Sequence, residues 1–116
     1  MKTLAGRKLS RKPGHRLSLF RNMAMSLLQY EKVQTTLPKA KEVSKFTEKV
    51  ITAAKKGGLN SQRRVARTIH QENVRKKLFD VLVPRYLSRN GGYTQIIRLA
   101  PRTGDAAKMV VIRLLP

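Results

Sequence analysis

The sequence predicts an α+β fold of two layers, in which about four helices cover one face of a small mixed or antiparallel sheet. Apolar residues recur at spacings of three and four over most of residues 17–87, which is the period of amphipathic helices. Two runs rich in Val and Ile follow, separated by a turn-rich segment, and this pattern is typical of a hairpin. A short β-branched run lies between the first two helices and supplies a third strand. The 116 residues fit one domain, which we assign to residues 17–116, with residues 1–16 as a basic N-terminal arm.

The arm of residues 1–16 carries positive charge only, because the first acid of the chain is Glu31. It has no usable apolar periodicity, and Pro13-Gly14 is expected to break any helix there. We predict an extended arm that is disordered when free. At about 3.3 Å per residue it would reach roughly 50 Å, far enough to contact phosphates beyond the domain. An unbound, solvated tail is the alternative.

The first helix is expected to begin at Leu17. Its apolar face consists of Leu17, Phe20, Ala24, Leu27 and Leu28. Arg16, Arg21 and Asn22 point away from that face, so Arg21 would carry the charge of the arm onto a rigid element.

The next segment, Lys32–Leu37, reads as a short strand, and Pro38 favours the start of a second helix. The buried face of this helix is predicted to consist of Ala40, Val43, Phe46, Val50, Ile51 and Ala54. Its other face holds six lysines, Lys39, Lys41, Lys45, Lys49, Lys55 and Lys56. A solvated surface and a binding surface are equally compatible with that pattern. Gly57-Gly58 ends the helix, because glycine adopts the left-handed conformation at little cost.

Two further helices are expected before the hairpin. Asn60 or Ser61 can cap a third helix, whose outer face bears Arg63, Arg64 and Arg67. A fourth helix starts near Glu72 and is interrupted at Pro84, after which a short helical turn follows. The sequence Arg89-Asn90-Gly91-Gly92 is a stop signal. Backbone N–H groups at these glycines could also approach a phosphate.

The hairpin is predicted from Tyr93–Leu99 and Met109–Leu114, which should pair antiparallel around the connection Pro101–Asp105. Alternation places Tyr93, Ile97 and Leu99 on one face of the first strand. The pattern leaves open whether Tyr93 packs in the sheet or stacks on a base.

The charge balance points to a polyanionic partner. There are 26 Lys and Arg against 6 Asp and Glu, which gives a formal net charge of +20. Nucleic acid supplies regularly spaced phosphates that relieve such self-repulsion. Only 5% of residues are aromatic, and no zinc-finger, KH or RRM motif is present, so recognition of backbone and shape is favoured over base reading.

No pattern indicates catalysis, a cofactor or a metal site. The chain has no Cys, its two His residues have no partner at metal-ligand spacing, and its six acids are scattered singly. No P-loop, dinucleotide fingerprint or nucleophile elbow occurs. No stretch approaches the ~20 apolar residues of a membrane span. We therefore expect no enzyme, no cofactor, no small-molecule substrate, no membrane and no homo-oligomer.

Four blocks of the sequence resemble the bacterial large-subunit ribosomal protein L17 family. The first block comprises Gly6-Arg7-Lys8-Leu9, His15-Arg16, Phe20-Arg21-Asn22-Met23-Ala24 and Ser26-Leu27-Leu28. The second is Thr35-Thr36-Leu37-Pro38-Lys39-Ala40-Lys41-Glu42. The third comprises Pro84-Arg85-Tyr86, Arg89 and Gly91-Gly92-Tyr93-Thr94, and the fourth is Arg102-Thr103-Gly104-Asp105-Ala106-Ala107-Lys108-Met109.

The resemblance implies a two-layer α+β structural protein of the cytoplasmic ribosome. It further implies contacts with large-subunit ribosomal RNA and neighbouring large-subunit proteins, near the exit of the nascent-chain tunnel. The candidate RNA-binding residues are Lys2, Arg7, Lys8, Arg11, Lys12, His15, Arg16, Arg21, Asn22, Lys39, Arg85, Arg89, Tyr93, Arg98 and Arg102. A nucleoid-type DNA-binding protein is the alternative, although no major-groove reading motif is recognisable.

Overall fold

The structure, a computed structural model, describes residues 13–116 and forms two layers of helices and sheet. The helical elements are α1 (Pro13–Tyr30), α2 (Leu37–Lys55), α3 (Gly58–Thr68), α4 (Glu72–Lys77), a π-helical segment (Leu78–Leu82) and α5 (Val83–Tyr86). The strands are β1 (Lys32–Thr36), β2 (Thr94–Arg98) and β3 (Met109–Leu114). Because α4, the π-helical segment and α5 are continuous, the described residues contain four separate helices, which confirms the expected α+β architecture.

The sheet has the strand order β1-β3-β2 and is antiparallel throughout. The predicted pairing of the two late strands is confirmed, and the later one, β3, also pairs with β1. Ile112 stands at the centre of the sheet, opposite Val33 on one side and Ile96 on the other. Helices α1 and α2 both contact β1 and β3. This arrangement buries Val110, Ile112 and Leu114 of β3.

The core lies between the helices and this face of the sheet. The predicted apolar face of α2 is confirmed, because Ala40, Val43, Ile51 and Ala54 are buried and Phe46 packs against the core. Tyr86 of α5 and Tyr93, just before β2, lie with their ring centroids 5.1 Å apart. The Tyr86 hydroxyl donates to the backbone carbonyl of Leu115. The two tyrosines therefore join the helical layer to the end of the sheet.

The first helix begins earlier than the sequence predicts. It starts at Pro13 and not at Leu17, because the N–H groups of a first helical turn have no partner within the helix and a proline is tolerated there. Leu17 is 40% exposed, contrary to its assignment to the core face, whereas Arg16 is only 9% exposed. The Arg16 guanidinium lies 6.0 Å from the ring centroid of Phe20, one turn along the helix.

Two helix boundaries also differ from expectation. Helix α3 begins at Gly58 after Gly57, which has φ 75°, so neither Asn60 nor Ser61 is its N-cap. The fourth helix does start at Glu72, but it widens to π geometry before Pro84, and the N–H of Val83 donates to the carbonyl of Leu78. Pro84 has no N–H and its ring would clash with the carbonyl four residues earlier in a regular helix, and the wider turn relieves both problems.

The first hairpin strand departs from the predicted grouping at Tyr93, which does not share the face of Ile97 and Leu99. Ile97 and Leu99 lie on the exposed face of the sheet, and Ile96 packs against the core. Tyr93 is buried but precedes the strand, after Gly92 with φ 65°. Its side-chain direction is therefore set by the glycine turn and not by the alternation of β2.

Candidate nucleic-acid interface

The six acids of the chain decide which of its cations remain available to a polyanion. Three acids take part in ion pairs within residues 13–116, namely Glu31, Glu42 and Asp105. Glu48 instead accepts a hydrogen bond from a hydroxyl group. Glu72 and Asp80 are exposed on the fourth helix. The arrangement of Glu31 and Asp105 bears directly on two of the predicted RNA-binding arginines.

Glu31 clamps two cations at the end of α1. Arg85 donates two hydrogen bonds to its carboxylate, the closer at 2.5 Å, and Lys77 Nζ lies 3.0 Å from Oε2. The hydrogen bond from Arg85 is the main reason that the pKa of Glu31 falls from 4.5 to about 2, against an opposing contribution from burial. The same contact raises the pKa of Arg85. Arg85 is therefore chiefly a structural ion-pair partner in this fold.

Asp105 holds Arg102 in the loop between β2 and β3. Arg102 donates to both carboxylate oxygens, at 3.1 and 2.6 Å, and the backbone N–H of Ala107 donates to Oδ1 at 3.2 Å. The bond from Arg102 is the first reason that the pKa of Asp105 falls to about 2. The sequence predicted a second phosphate-binding patch of Arg85, Arg89 and Arg102, and two of these three arginines face a carboxylate.

The lysine face of α2 forms one wall of a groove. Helix α3 contributes Arg64, and the turn before β2 contributes Asn90 and Gly91. The remaining lining residues come from α2 and the residue after it: Lys45, Glu48, Lys49, Thr52, Ala53 and Lys56. The groove is open and has a volume of about 450 Å³. The stop signal at Gly91 thus lies opposite the lysines of α2, a neighbourhood that local sequence spacing does not reveal.

Glu48 is the acid of this groove, and its carboxylate is already engaged. The hydroxyl of Thr94 donates to Glu48 Oε2 at 2.7 Å and lies 2.6 Å from the hydroxyl of Ser44. Lys45 is 3.7 Å from Glu42, with most of its own side chain exposed. No ion pair within residues 13–116 involves Lys49, Lys56 or Arg64. The groove therefore has a positive surface that the protein itself does not neutralise.

The predicted RNA-binding residues differ in how exposed they are, and five of them are not described by the structure. Lys2, Arg7, Lys8, Arg11 and Lys12 lie outside the described residues. His15 and Asn22 are exposed on α1, whereas Arg16 is buried and Lys39 is partly buried. Arg21 is partly buried, and its Nε has no hydrogen-bond partner within the described part of the chain. Arg89 and Arg98 are exposed.

Tyr93 does not present a face to a base. It is 1% exposed, and the Nζ of Lys55 lies 4.9 Å from its ring centroid and 2.9 Å from its hydroxyl. Burial by itself raises the pKa of Tyr93, but hydrogen bonds from Lys55 and Thr52 lower it overall. Tyr93 is a core residue whose hydroxyl reaches the edge of the groove through Lys55 and Thr52. The sequence left open whether Tyr93 packs in the fold or stacks on a base, and its burial supports packing.

No group of three or more His, Asp or Glu side chains among residues 13–116 could hold a metal ion. No helix among these residues is long and apolar enough to cross a membrane.

Comparison with known proteins identifies close relatives. The model of the family described as ribosomal protein L17 matches residues 19–115. The chain is 49% identical over 112 residues to the large ribosomal subunit protein bL17 of Erythrobacter litoralis, covering 97% of this chain and 80% of that protein. It is 51% identical over 112 residues to the protein of the same name from Zymomonas mobilis, with the same coverage. The bL17 protein of Desulfitobacterium hafniense is 48% identical and is covered over its full length.

Proposed function

The chain belongs to the ribosomal protein L17 family, and from that membership we propose that it binds large-subunit ribosomal RNA, near the nascent-chain tunnel exit, as a structural constituent of the cytoplasmic ribosome. Family membership makes it a ribosomal protein and not an enzyme. Neighbouring large-subunit proteins are its expected protein partners.

The observation that carries the RNA-binding proposal is the uneven use of charge. With 26 basic and 6 acidic side chains, the acids can neutralise only a minority of the cations, and those held in ion pairs among residues 13–116 include Lys45, Lys77, Arg85 and Arg102. The remaining cations would neutralise phosphates and release the ions condensed on them. Arginine suits this role because its planar group can donate two parallel hydrogen bonds to one phosphate.

The arm is expected to add contacts that the globular domain cannot reach. We propose that Arg7, Lys8, Arg11 and Lys12, followed by His15 at the exposed start of α1, enter the RNA and neutralise phosphates. If roughly six to ten phosphates are contacted in all, affinity should fall by about a thousandfold or more between 50 and 200 mM salt. That steep dependence separates backbone binding from an interface dominated by apolar contacts.

Sucrose-gradient sedimentation tests the assignment to the large subunit. The protein should migrate in stoichiometric amount with that subunit after a moderate salt wash, and RNase but not DNase should release it from a lysate. Release by DNase, with absence from the subunit peak, would support a nucleoid-type DNA-binding protein instead.

A variant with Arg7, Lys8, Arg11 and Lys12 changed to Gln tests the role of the arm. It keeps the length of the chain and every residue of α1, so loss of incorporation cannot come from truncating the helix. We expect reduced incorporation into the large subunit and a shallower salt dependence of RNA binding. Incorporation equal to that of the unaltered protein would contradict the proposed role of the arm.

A further inference from the structure

We propose that the groove between α2, α3 and the Asn90-Gly91 turn is a binding site for a short run of RNA sugar-phosphate backbone. The proposal rests on the proposed function and extends it to a surface outside the arm and the predicted arginine patch. Of the groove cations, none was among the RNA-binding residues expected from the sequence.

The groove presents its charge on rigid elements. Lys45, Lys49, Thr52 and Lys56 follow one another at spacings of three and four, so α2 places them in one stripe. At 1.5 Å per residue, Lys45 and Lys56 are about 16 Å apart along the helix. One strand of duplex DNA presents a phosphate about every 3.4 Å of axis, and on that scale the stripe is roughly five phosphates long.

The second wall supplies a different kind of donor. Arg64 projects from α3, which is fastened to α2 because the Ser61 hydroxyl donates to the carbonyl of Ala53 at 2.5 Å. Its guanidinium can hold one phosphate with two hydrogen bonds, whereas the lysines act as mobile point charges. The hydrogen bond from Ser61 therefore fixes α3, and with it Arg64, relative to the lysine stripe of α2 before any ligand binds.

The glycine turn lets backbone approach the same ligand. Gly91 has φ 145°, and a Cβ added there would meet nothing within 4 Å, so the space beside it is open. No backbone hydrogen bond among residues 13–116 uses the N–H of Asn90, Gly91 or Gly92. These donors are available to a phosphate oxygen.

The charge of the groove favours a phosphodiester strand. Its lining has four cations, Lys45, Lys49, Lys56 and Arg64, and one carboxylate, Glu48, so the formal charge of the lining is +3. The Glu48 carboxylate accepts a hydrogen bond from Thr94 on the β2 side. An acidic peptide would need carboxylates at regular intervals along its chain to match the lysine stripe of α2. The RNA backbone carries regularly spaced charge in any sequence.

The test compares two variants of equal charge. One carries Lys49→Gln, Lys56→Gln and Arg64→Gln, all exposed residues with no ion pair among residues 13–116. The control carries Lys32→Gln, Lys108→Gln and Arg113→Gln, which lie on the outer side of the sheet or in the loop preceding β3. Binding of each to purified large-subunit ribosomal RNA is measured by filter retention over a range of salt concentrations.

The groove variant should lower the slope of log affinity against log salt by about two to three, while the control changes it little. Equal slopes for the two variants would overturn the proposal, because only bulk charge would then matter. If the unaltered protein itself fails to bind this RNA or to sediment with the large subunit, the proposed function fails first. If the unaltered protein binds the RNA but the two variants have equal slopes, the groove proposal fails and the proposed function stands.

Chemical labelling gives a second readout that does not depend on any variant. An amine-reactive reagent should modify Lys49 and Lys56 in the free protein and much less in the presence of the RNA, with Lys32 labelled equally in both states. Protection of Lys49 and Lys56 that survives RNase digestion of isolated subunits would indicate a protein ligand in the groove and overturn the proposal.

Discussion

Glu31 shows how one residue accepts backbone strain to hold two charges. It follows the last residue of α1 and has φ 64°, a left-handed conformation that costs a side-chain-bearing residue about 1 kcal/mol or more. Glycine is the usual residue at such a helix end. A glycine would relieve the strain but could not contact Arg85 and Lys77, which fasten the fourth helix to the end of α1.

We predict that Glu31→Gln destabilises the fold by about 2 kcal/mol at neutral pH, because the strain remains while two charge-assisted contacts are weakened. The pKa of Glu31 is lowered from 4.5 to about 2, so its contribution is complete above about pH 4.5 and is lost as the pH falls through about 2. Urea unfolding at several pH values should therefore show the difference between wild type and variant shrinking as the pH falls through this range.

Asp105→Asn is the matched control for that experiment. Its ion pair with Arg102 joins two exposed side chains that are three residues apart, so the unfolding free energy at neutral pH should change little. An equal loss of stability in both variants would show that the Glu31 contacts have no special weight.

For single residues, the sequence indicates which chemical roles a side chain can take, but it does not predict what that side chain contacts. Tyr93 satisfied the pattern of a strand residue and of a base-stacking residue equally well, and only the turn at Gly92 decides its direction. Arg16 belonged to the charged arm by sequence, yet a helix that starts at Pro13 places it one turn from Phe20. Both outcomes depend on contacts that local spacing does not contain.

Among the elements, the junction of α2 and α3 shows a side chain with a different role from the expected one. The hydroxyl of Ser61 donates to the carbonyls of Ala53 and Ala54, at 2.5 and 3.3 Å. The final carbonyls of a helix lack the regular partner that lies four residues on. Here the N–H groups of Lys56 and Gly57 donate to Ala53 and Ala54 at 3.3 Å, and Ser61 of the next helix adds a further donor. The small, polar residue that sequence analysis assigned to capping its own helix instead satisfies the preceding helix.

Ser61→Ala should therefore destabilise the protein by about 1 kcal/mol, because the hydrogen bond from the buried hydroxyl to the end of α2 is lost while the backbone donors Lys56 and Gly57 remain. Asn60→Ala is the control, since Asn60 is exposed and does not cap α3. Thermal unfolding would distinguish the two readings of this segment: a capping role for Asn60 requires the larger loss in the Asn60 variant.

Helical periodicity predicted the number of helices, the buried face of α2 and the start of the fourth helix, because each follows from local spacing of apolar side chains. It could not predict the π-helical segment, although Pro84 marked the place where regular geometry fails. Likewise, the two late runs rich in Val and Ile predicted that β2 and β3 pair, but they did not predict that β3 lies between β1 and β2. The lysine stripe was visible in the sequence, whereas Arg64 and Gly91 join it only through tertiary packing.

For the whole molecule, the net charge of +20 sets the dominant dependence on solution conditions. Mutual repulsion of the cations opposes the compact state and is screened by salt, since the Debye length falls from about 10 Å at 0.1 M to about 3 Å at 1 M. We predict that the Tm of the free protein rises with added KCl, measured by calorimetry. RNA affinity should change in the opposite direction over the same range, and a Tm that falls with salt would show that internal ion pairs outweigh repulsion.

The position of β3 in the middle of the sheet has a consequence for the order of events during synthesis. Strands β1 and β2 have no hydrogen bonds to one another, and each depends on a partner near residue 110. While the chain is being made, α1, β1 and α2 emerge first with their sheet-facing residues uncovered. They stay so until residues 109–114 follow, because long-range pairing must await its later partner. Any arrest of synthesis before that strand leaves a basic, partly apolar intermediate without a sheet, and quality control of truncated chains would encounter that species.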